Sequence, residues 1–348
     1  PDGPVTDGVT PLGWAVVLAP FAGAGPLAGL HAAKLLGVAA WLAAAAMLGT
    51  AIRRSGRHPL RYAALLLVLL SAPLGAWSVA GMETGLVLAL GAAAASGRCL
   101  GHERLAAIAA GLVAAWRPEA LPWALVLSLG PAASADPGRS SPRHGDEMTL
   151  LGGRLRLLGW ALGPFLLVAA VRLAVFDRPA PLALYAKPSD WAHGWRYALA
   201  CALLTGPVAL VAWRRLAPWC RGMQAAVGAH LLAVALAGGD WMPLSRLVVP
   251  VLPCVVVAGA HILDRARWGI GTPRLAWALA GLVFALLRAG PAAARVGTDR
   301  LQLIRELGPS LGSARVVAAL DVGWVGAATD AAVVDLAGVT DPTIAALP

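Results

Sequence analysis

The sequence predicts an all-α polytopic membrane protein of about ten transmembrane helices, with a small α/β extracytoplasmic element at its C-terminal end. Hydrophobic residues make up 59% of the 348 residues and charged residues only 13%, whereas a soluble domain usually carries about 25% charged residues. Apolar stretches near membrane-spanning length recur along the chain with short polar segments between them. The last sixty or so residues depart from this composition.

Three parts follow from these patterns. Residues 1–26 form an extracytoplasmic stretch, in which the segment 11–24 is too short to cross and predicts a helix lying along the interface. Residues 27–290 form the transmembrane helical domain. Residues 291–348 form the C-terminal element, in which SARVVAAL and AAVVDLAG predict short buried strands and DVGWVGAATD predicts a turn or short helix between them.

Ten apolar segments predict the spans of the transmembrane domain. The third, fourth and fifth are shorter than the roughly 20 residues that a crossing helix needs, so flanking residues or a locally thin bilayer must complete them. The predicted spans are 27–52, 60–79, 83–98, 103–117, 119–133, 155–176, 196–213, 222–238, 247–263 and 275–290.

The net charge of +10 has two interpretations, nucleic-acid binding and membrane topology. The arginines lie in short loops between apolar segments rather than on one soluble face, which favours topology signals over nucleic acid. Arginine-rich loops alternate regularly with other loops, so that all of them can face the cytoplasm together. The opposite, extracytoplasmic segments are then 1–26, 79–84, 116–120, 177–195, 238–246 and the tail from 291.

Ionisable residues in the extracytoplasmic loops are the candidate site residues, because such groups near hydrocarbon are costly and tend to mark function. Arginine and lysine suit a phosphate or pyrophosphate, and carboxylates suit sugar hydroxyls, a metal ion or a general base. Lys187 could equally be a solvated loop lysine. The candidates are Glu83, Arg117, Glu119, Lys187, Asp190, Asp240 and Arg246.

The other candidates also have structural interpretations, which the sequence leaves open. Glu83 could be an acidic residue favoured by the dipole at a helix N-terminus. Arg117 and Glu119 could form an ion pair at a helix junction, where Pro118 fits the first turn of a helix. Asp240 and Arg246 could pair with each other and cap helices.

The order of several segments resembles the GT-C class of glycosyltransferases, in particular a bacterial group that includes terminal arabinofuranosyl- and mannosyl-type transferases. The resemblance extends from near residue 6 to near residue 342, and GGDWMP and WRPEA are its more specific motifs. The matching stretches are TDGVTPLGW, AAKLLG, AGMETGLVLAL, AAWRPEALPWAL, LYAKPSDWAHGWRYAL, GGDWMPLSRLVVPVLP and ALDVGWVGAATDAAVVDLAGVTDP.

The resemblance implies a multi-pass enzyme of the bacterial plasma membrane that takes a sugar from a polyprenyl-phosphate donor. Transfer would occur on the extracytoplasmic face, to a glycan, lipid or protein acceptor. The donor phosphate would be bound by Arg117, Lys187 and Arg246. Candidate catalytic carboxylates, which would hold sugar hydroxyls or a divalent metal ion, are Glu83 and Asp240. Further substrate contacts would come from Glu119, Asp190 and Trp241.

The chain departs from the family at its beginning. Members of this class carry an acidic general base, often one of an acidic pair, in the first extracytoplasmic loop after a first span. Here Asp2 and Asp7 are the only early acids, and Asp7 matches a glutamate that follows the family's pair. We therefore expect a chain truncated at its N-terminus, with the main catalytic acid upstream.

Two other functions remain open. A transporter or flippase of lipid-linked substrate would suit many spans, although such proteins often show internal repeats and broken helices. The two halves of this chain show no convincing repeat, and its charges cluster in outer loops rather than at mid-membrane. An inactive fragment or scaffold, lacking the acidic loop, is the other alternative.

Overall fold

The protein is mostly helical. A computed structural model describes residues 7–8, 10–56, 61–62, 64, 72–131, 133, 147–186, 190–205, 213–240, 242, 245–264, 276, 279–280, 283, 286–287, 290–326 and 328–346. In the N-terminal half of the chain, the helices are α1 (Leu12–Ala22), α2 (Pro26–Ser55), α3 (Ala72–Ser78), α4 (Thr84–Leu100), α5 (Glu103–Trp116), a 3-10 turn (Pro118–Ala120) and α6 (Leu121–Leu129).

The C-terminal half continues with helices and ends in a small α/β element. The helices are α7 (Glu147–Phe176), α8 (Leu182–Ala186), α9 (Trp191–Thr205), a 3-10 turn (Trp213–Arg215), α10 (Pro218–Leu236), a second 3-10 segment (Arg246–Val251), α11 (Leu252–Leu263) and α12 (Gly290–Gly312). The α/β element comprises β1 (Val316–Ala319), α13 (Val322–Gly326), β2 (Ala332–Asp335) and α14 (Pro342–Ala345).

Three described helical segments are long and apolar enough to cross a membrane, namely Ala28–Ser55, Gly152–Phe176 and Arg246–Leu263. They are compatible with a membrane protein. Within Gly152–Phe176 the buried residues are Ala161 and Arg172, so the leucines of this helix present a broad apolar surface. The count of ten spans stays a prediction, and part of the second predicted span, 60–79, and most of the tenth, 275–290, lie outside the described residues.

Small residues allow the helices to approach one another closely. A Cβ atom on Gly85 of α4 would lie 2.8 Å from the Cα atom of Gly37 in α2. A Cβ atom on Gly111 of α5 would collide with the carbonyl oxygen of Ala161 in α7. Close backbone contact through glycine and alanine is typical of helix packing in membranes.

The helix bundle has two ends. The first end holds the C-termini of α2, α4, α6 and α11. There Arg98 donates to the carbonyl oxygens of Gly130 and Pro131, the latter at 2.6 Å. Arg61 pairs with Asp264 across 3.5 Å. We call this the Arg98 end, and its arginines come from loops predicted to be cytoplasmic.

The opposite end, which we call the Arg117 end, holds the N-terminus of α4 and the C-termini of α5 and α10. The start of α1 also lies here, because the rings of Trp14 and Trp116 are 6.4 Å apart. Asp7 binds Arg172 near the C-terminus of α7 at 2.8 Å, and the glycine after Asp7 packs against Thr340. Segments predicted to be extracytoplasmic thus share one end, while the side of the membrane stays a prediction.

The C-terminal strands lie within the two segments expected to hold them, and β1 pairs with β2 in parallel, with Val316 opposite Ala332. The expectation that these strands are buried is wrong for β1, whereas β2 runs from exposed Ala332 to buried Asp335. Val316 is 62% exposed, and the residues of β1 alternate between exposed and half-buried. A two-stranded sheet has two broad faces, and its strands are buried only if other residues cover both of these faces. Its extracytoplasmic position and the boundary at residue 291 stay predictions.

We predict that Gly111→Ala destabilises the protein by about 1–3 kcal/mol, because the added methyl group meets the backbone of α7 and cannot be accommodated by a side-chain shift. The control is Gly159→Ala in α7, where an added Cβ meets nothing within 4 Å. That change should leave stability unchanged or slightly raised, since alanine favours helix over glycine. Thermal unfolding in detergent measures both, and equal effects would contradict the close α5–α7 contact.

Candidate functional site

Arg117 lies at a break between two helical segments, and the local sequence explains the break. Helix α5 ends at Trp116, and Arg117 has φ −136° and ψ 88°. A residue before proline avoids the α conformation, so Pro118 ends α5 and then opens the 3-10 turn. Glu119 follows in the first turn of that segment. The WRPEA sequence therefore places the Arg117 guanidinium beside the ends of two helices.

Two carboxylates hold Arg117. Its guanidinium donates a hydrogen bond to Glu83 and lies 3.8 Å from Glu119. Arg117 is 6% exposed and Glu83 2% exposed. A buried guanidinium requires paired carboxylates, because removing one partner leaves an uncompensated charge.

Glu83 connects α4 to this pair. It occupies the N-cap position of α4, but its carboxylate bonds to Arg117 rather than to the first N–H groups of the helix. The positive end of the helix dipole still favours a negative charge there. Glu83 can therefore be favoured by the dipole at the start of α4 and also belong to a site of charged side chains.

Asp240 and Arg246 form a second pair within one strained loop. Nε and Nη2 of Arg246 lie 2.9 and 2.8 Å from the same oxygen of Asp240, and the other oxygen accepts from the backbone N–H of Met242 at 3.3 Å. Ser245 has φ +49°, which is unusual for a residue other than glycine. Residues 240 and 246 therefore lie side by side.

The two pairs belong to one buried cluster. Nη1 of Arg246 lies 3.6 Å from the sulfur of Met82, the residue before Glu83. The two arginines are close enough to interact electrostatically, and Arg117 also interacts with Asp240. We define the Arg117 cluster by its members: Glu83, Arg117, Glu119, Asp240 and Arg246.

The charges of the Arg117 cluster nearly balance, since three carboxylates face two guanidinium groups. Both arginines are already bound to carboxylates at close range. An anionic ligand would therefore compete with Glu83 or Asp240 for guanidinium N–H groups. The pairs predicted as the structural alternative, Arg117 with Glu119 and Asp240 with Arg246, are both present.

The remaining sequence-predicted residues fall into two groups. Asp190 caps α9, because its carboxylate accepts the backbone N–H of His193 at 2.9 Å. Among the described residues, its neighbour His193 links it to the cluster, because Nε2 of His193 donates to the carbonyl oxygen of Asp240 at 3.1 Å. Lys187 and Trp241 lie outside the described residues. The roles assigned to all of these residues stay predictions.

Sequence reasoning missed three side chains beside the cluster: His193, Tyr197 and His230. The hydroxyl of Tyr197 accepts the backbone N–H of Leu247 at 3.1 Å, and Nε2 of His230 donates to the carbonyl oxygen of the same residue at 2.7 Å. The only signals in the sequence were a lone histidine in an apolar helix and the four-residue spacing of His193 and Tyr197.

Asp7 has a structural partner of its own. Its carboxylate is bound by Arg172, which also donates to the carbonyl oxygen of Thr10 at 2.6 Å. Burial raises the pKa of Asp7, and the positive charge of Arg172 acts in the opposite direction. Because Arg172 occupies this carboxylate, Asp7 tethers the N-terminal stretch to α7.

Comparison of the chain with protein-family models, with curated proteins and with solved structures finds no match. Among the described residues, no group of three or more histidine, cysteine, aspartate or glutamate side chains could hold a metal ion. The divalent metal considered from the sequence therefore gains no support from this part of the chain.

We predict that Arg117→Met destabilises the protein by about 3–5 kcal/mol, because Glu83 is left buried without its partner. The double variant Glu83→Gln with Arg117→Met should recover part of this loss. The control is Arg300→Met, which breaks an exposed pair with Asp321 (41% and 47% exposed side chains) and should cost under about 1 kcal/mol.

A double-mutant cycle by thermal or denaturant unfolding measures this coupling. Additive effects of the Glu83 and Arg117 substitutions would show that the two side chains do not interact in the folded protein.

Proposed function

We propose that this chain is a membrane glycosyltransferase that takes a sugar from a polyprenyl-phosphate donor and transfers it outside the cytoplasm to a glycan, lipid or protein acceptor. The observation that carries the proposal is the Arg117 cluster. Its five charged side chains come from three loops predicted to lie on the same side of the membrane, and they meet at the ends of apolar helices. Such buried charges are costly and tend to serve function.

The donor would bind by an exchange of ion partners. A phosphate oxygen can replace a carboxylate oxygen on Arg117 or Arg246, and guanidinium groups bind phosphate through paired N–H donors. The displaced carboxylate, Glu83 or Asp240, is then available to accept a hydrogen bond from a sugar or acceptor hydroxyl. Before the donor arrives, both buried guanidinium groups are paired with carboxylates. The near balance of charge in the cluster therefore supports this exchange.

The reaction would be a direct displacement at the anomeric carbon. The bond from this carbon to the phosphate oxygen breaks, and a bond to the acceptor oxygen forms. Arg117 and Arg246 neutralise the charge of the departing polyprenyl phosphate. The acceptor proton passes to a carboxylate, for which Asp240 is the candidate in this chain.

The surrounding helices suit a lipid-linked donor. The segment Gly152–Phe176 has an exposed apolar surface, on which Leu166 is 56% and Leu167 is 66% exposed. Arg172 in the same helix reaches the Arg117 end through Asp7. A prenyl chain could therefore lie along apolar helix surface while its phosphate reaches the cluster.

We predict that the protein, placed in nanodiscs, transfers radiolabelled pentose or hexose from polyprenyl phosphate to a cell-envelope glycan acceptor. Asp240→Asn should lower kcat about 100-fold or more, the range for loss of an acid–base group. Arg246→Lys should chiefly raise the donor KM, because lysine lacks the paired donors of arginine.

The matched control is the exposed pair of the C-terminal element, and Asp321→Asn and Arg300→Lys should leave both constants unchanged. Flipping of the lipid-linked sugar in vesicles without any glycosyl transfer would reject the proposal in favour of a flippase.

A further inference from the structure

The loop between α10 and α11 carries Asp240 and Arg246, and side chains of two other segments hold its backbone. His193 and Tyr197 lie one turn apart on α9, and Cys201 follows after one more turn. His193 binds the carbonyl oxygen of Asp240, Tyr197 binds the N–H of Leu247, and Cys201 is in hydrogen-bond contact with the side chain of Ser245. One face of α9 therefore follows the loop from its beginning to its end.

The peptide groups of Leu247 are held from both sides. Tyr197 accepts its N–H at 3.1 Å, and His230 of α10 donates to its carbonyl oxygen at 2.7 Å. His230 is fully buried, so this hydrogen bond does not compete with bulk water. Leu247 directly follows Arg246, and its N–H belongs to the peptide group that joins these two residues, so Tyr197 holds this peptide group and His230 holds the next one.

The loop also has a conformation that must be held by its surroundings. Gly238 and Gly239 have φ values of +87° and +74°, and Ser245 has φ +49°. A non-glycine residue in this region costs energy and persists only when neighbouring groups determine its conformation. Ser245 directly precedes Arg246 and Leu247 follows it, so the strained residue and the residue held at its N–H and its C=O flank the arginine.

We propose that His193, Tyr197 and His230 form a loop clamp that positions Arg246 for the donor phosphate. The inference rests on the proposed function, because it concerns the same phosphate. These three are positioning residues, since they contact the loop backbone rather than the ligand. Without the clamp, Ser245 can relax from its left-handed conformation, and Arg246 then turns away from Asp240 and from the phosphate.

The first test needs no enzymatic activity. Phenylglyoxal modifies accessible arginines, and mass spectrometry gives the rate at each position. Arg246 should react about fivefold faster in Tyr197→Phe and His230→Leu than in the unaltered protein, the change expected from one lost hydrogen bond. His230→Gln keeps an N–H donor and should retain the original rate. Arg98, buried at the other end of the bundle, should react equally in all variants.

The second test uses transfer kinetics. Tyr197→Phe and His230→Leu should raise the donor KM and the inhibition constant of free polyprenyl phosphate about fivefold, with kcat changed less than twofold. His230→Gln should restore both constants. Tyr62→Phe and His102→Leu, at the Arg98 end, are the matched controls and should change neither.

The outcomes separate the two proposals. Unchanged modification of Arg246 in Tyr197→Phe and His230→Leu overturns the clamp. Faster modification with an unchanged KM in an active enzyme overturns its role in donor binding. Equal modification rates in the His230→Gln and His230→Leu variants also overturn the clamp, because the hydrogen bond of His230 would then have no effect on Arg246. If the unaltered protein transfers no sugar, the proposed function fails, and the modification rates alone decide the clamp.

Discussion

The position of Arg117 between Glu83 and Glu119 is the interaction on which the Arg117 end depends. A guanidinium that is 6% exposed is stable only if carboxylates surround it, and those carboxylates come from the start of α4 and the start of the turn before α6. Because Arg117 itself ends α5, one buried charge joins three helix ends. The Asp240–Arg246 pair brings in the end of α10 and the segment that leads into α11.

The same requirement for paired charge governs what the site can bind. An anion must displace a carboxylate, and a cation would face two guanidinium groups. For the proposed function, the arrangement would suit a ligand with both phosphate oxygens and hydroxyl groups, which can replace one contact and use the carboxylate that it releases. A phosphate-linked sugar has both kinds of group. The neighbouring helices are apolar and pack through close glycine and alanine contacts. The charged side chains of the cluster therefore lie at the helix ends.

Helix boundaries were predictable from the sequence where glycine or proline marks the end of a helix. The segment predicted at 103–117 is observed at Glu103–Trp116, since a glycine–histidine step precedes it and Arg117–Pro118 ends it. Helix α7 begins at Glu147 rather than at the predicted 155, because Arg154 and Arg156 resemble loop residues although a helix can carry them. The exposure of Val316 was not predictable, because an apolar strand has the same pattern whether or not another layer covers it.

The candidate site was predictable as a set of residues but not as a network. Charges in the loops predicted to be extracytoplasmic are visible in the sequence, yet the bond between Glu83 and Arg117 joins residues 34 positions apart and depends on tertiary packing. The hydrogen bonds of Tyr197 and His230 to the backbone at Leu247 leave no sequence pattern, because any residue supplies the same peptide group.

Sidedness labelling tests most directly whether the Arg117 cluster lies at the outer end of the bundle. In a variant with alanine in place of Cys99, Cys201, Cys220 and Cys254, single cysteines would be placed at Val79, 43% exposed at the Arg117 end, and at His102, exposed at the Arg98 end. A membrane-impermeant maleimide should label Val79→Cys in intact cells and His102→Cys only after permeabilisation. The reverse pattern, or labelling of both positions from one side, would contradict the account.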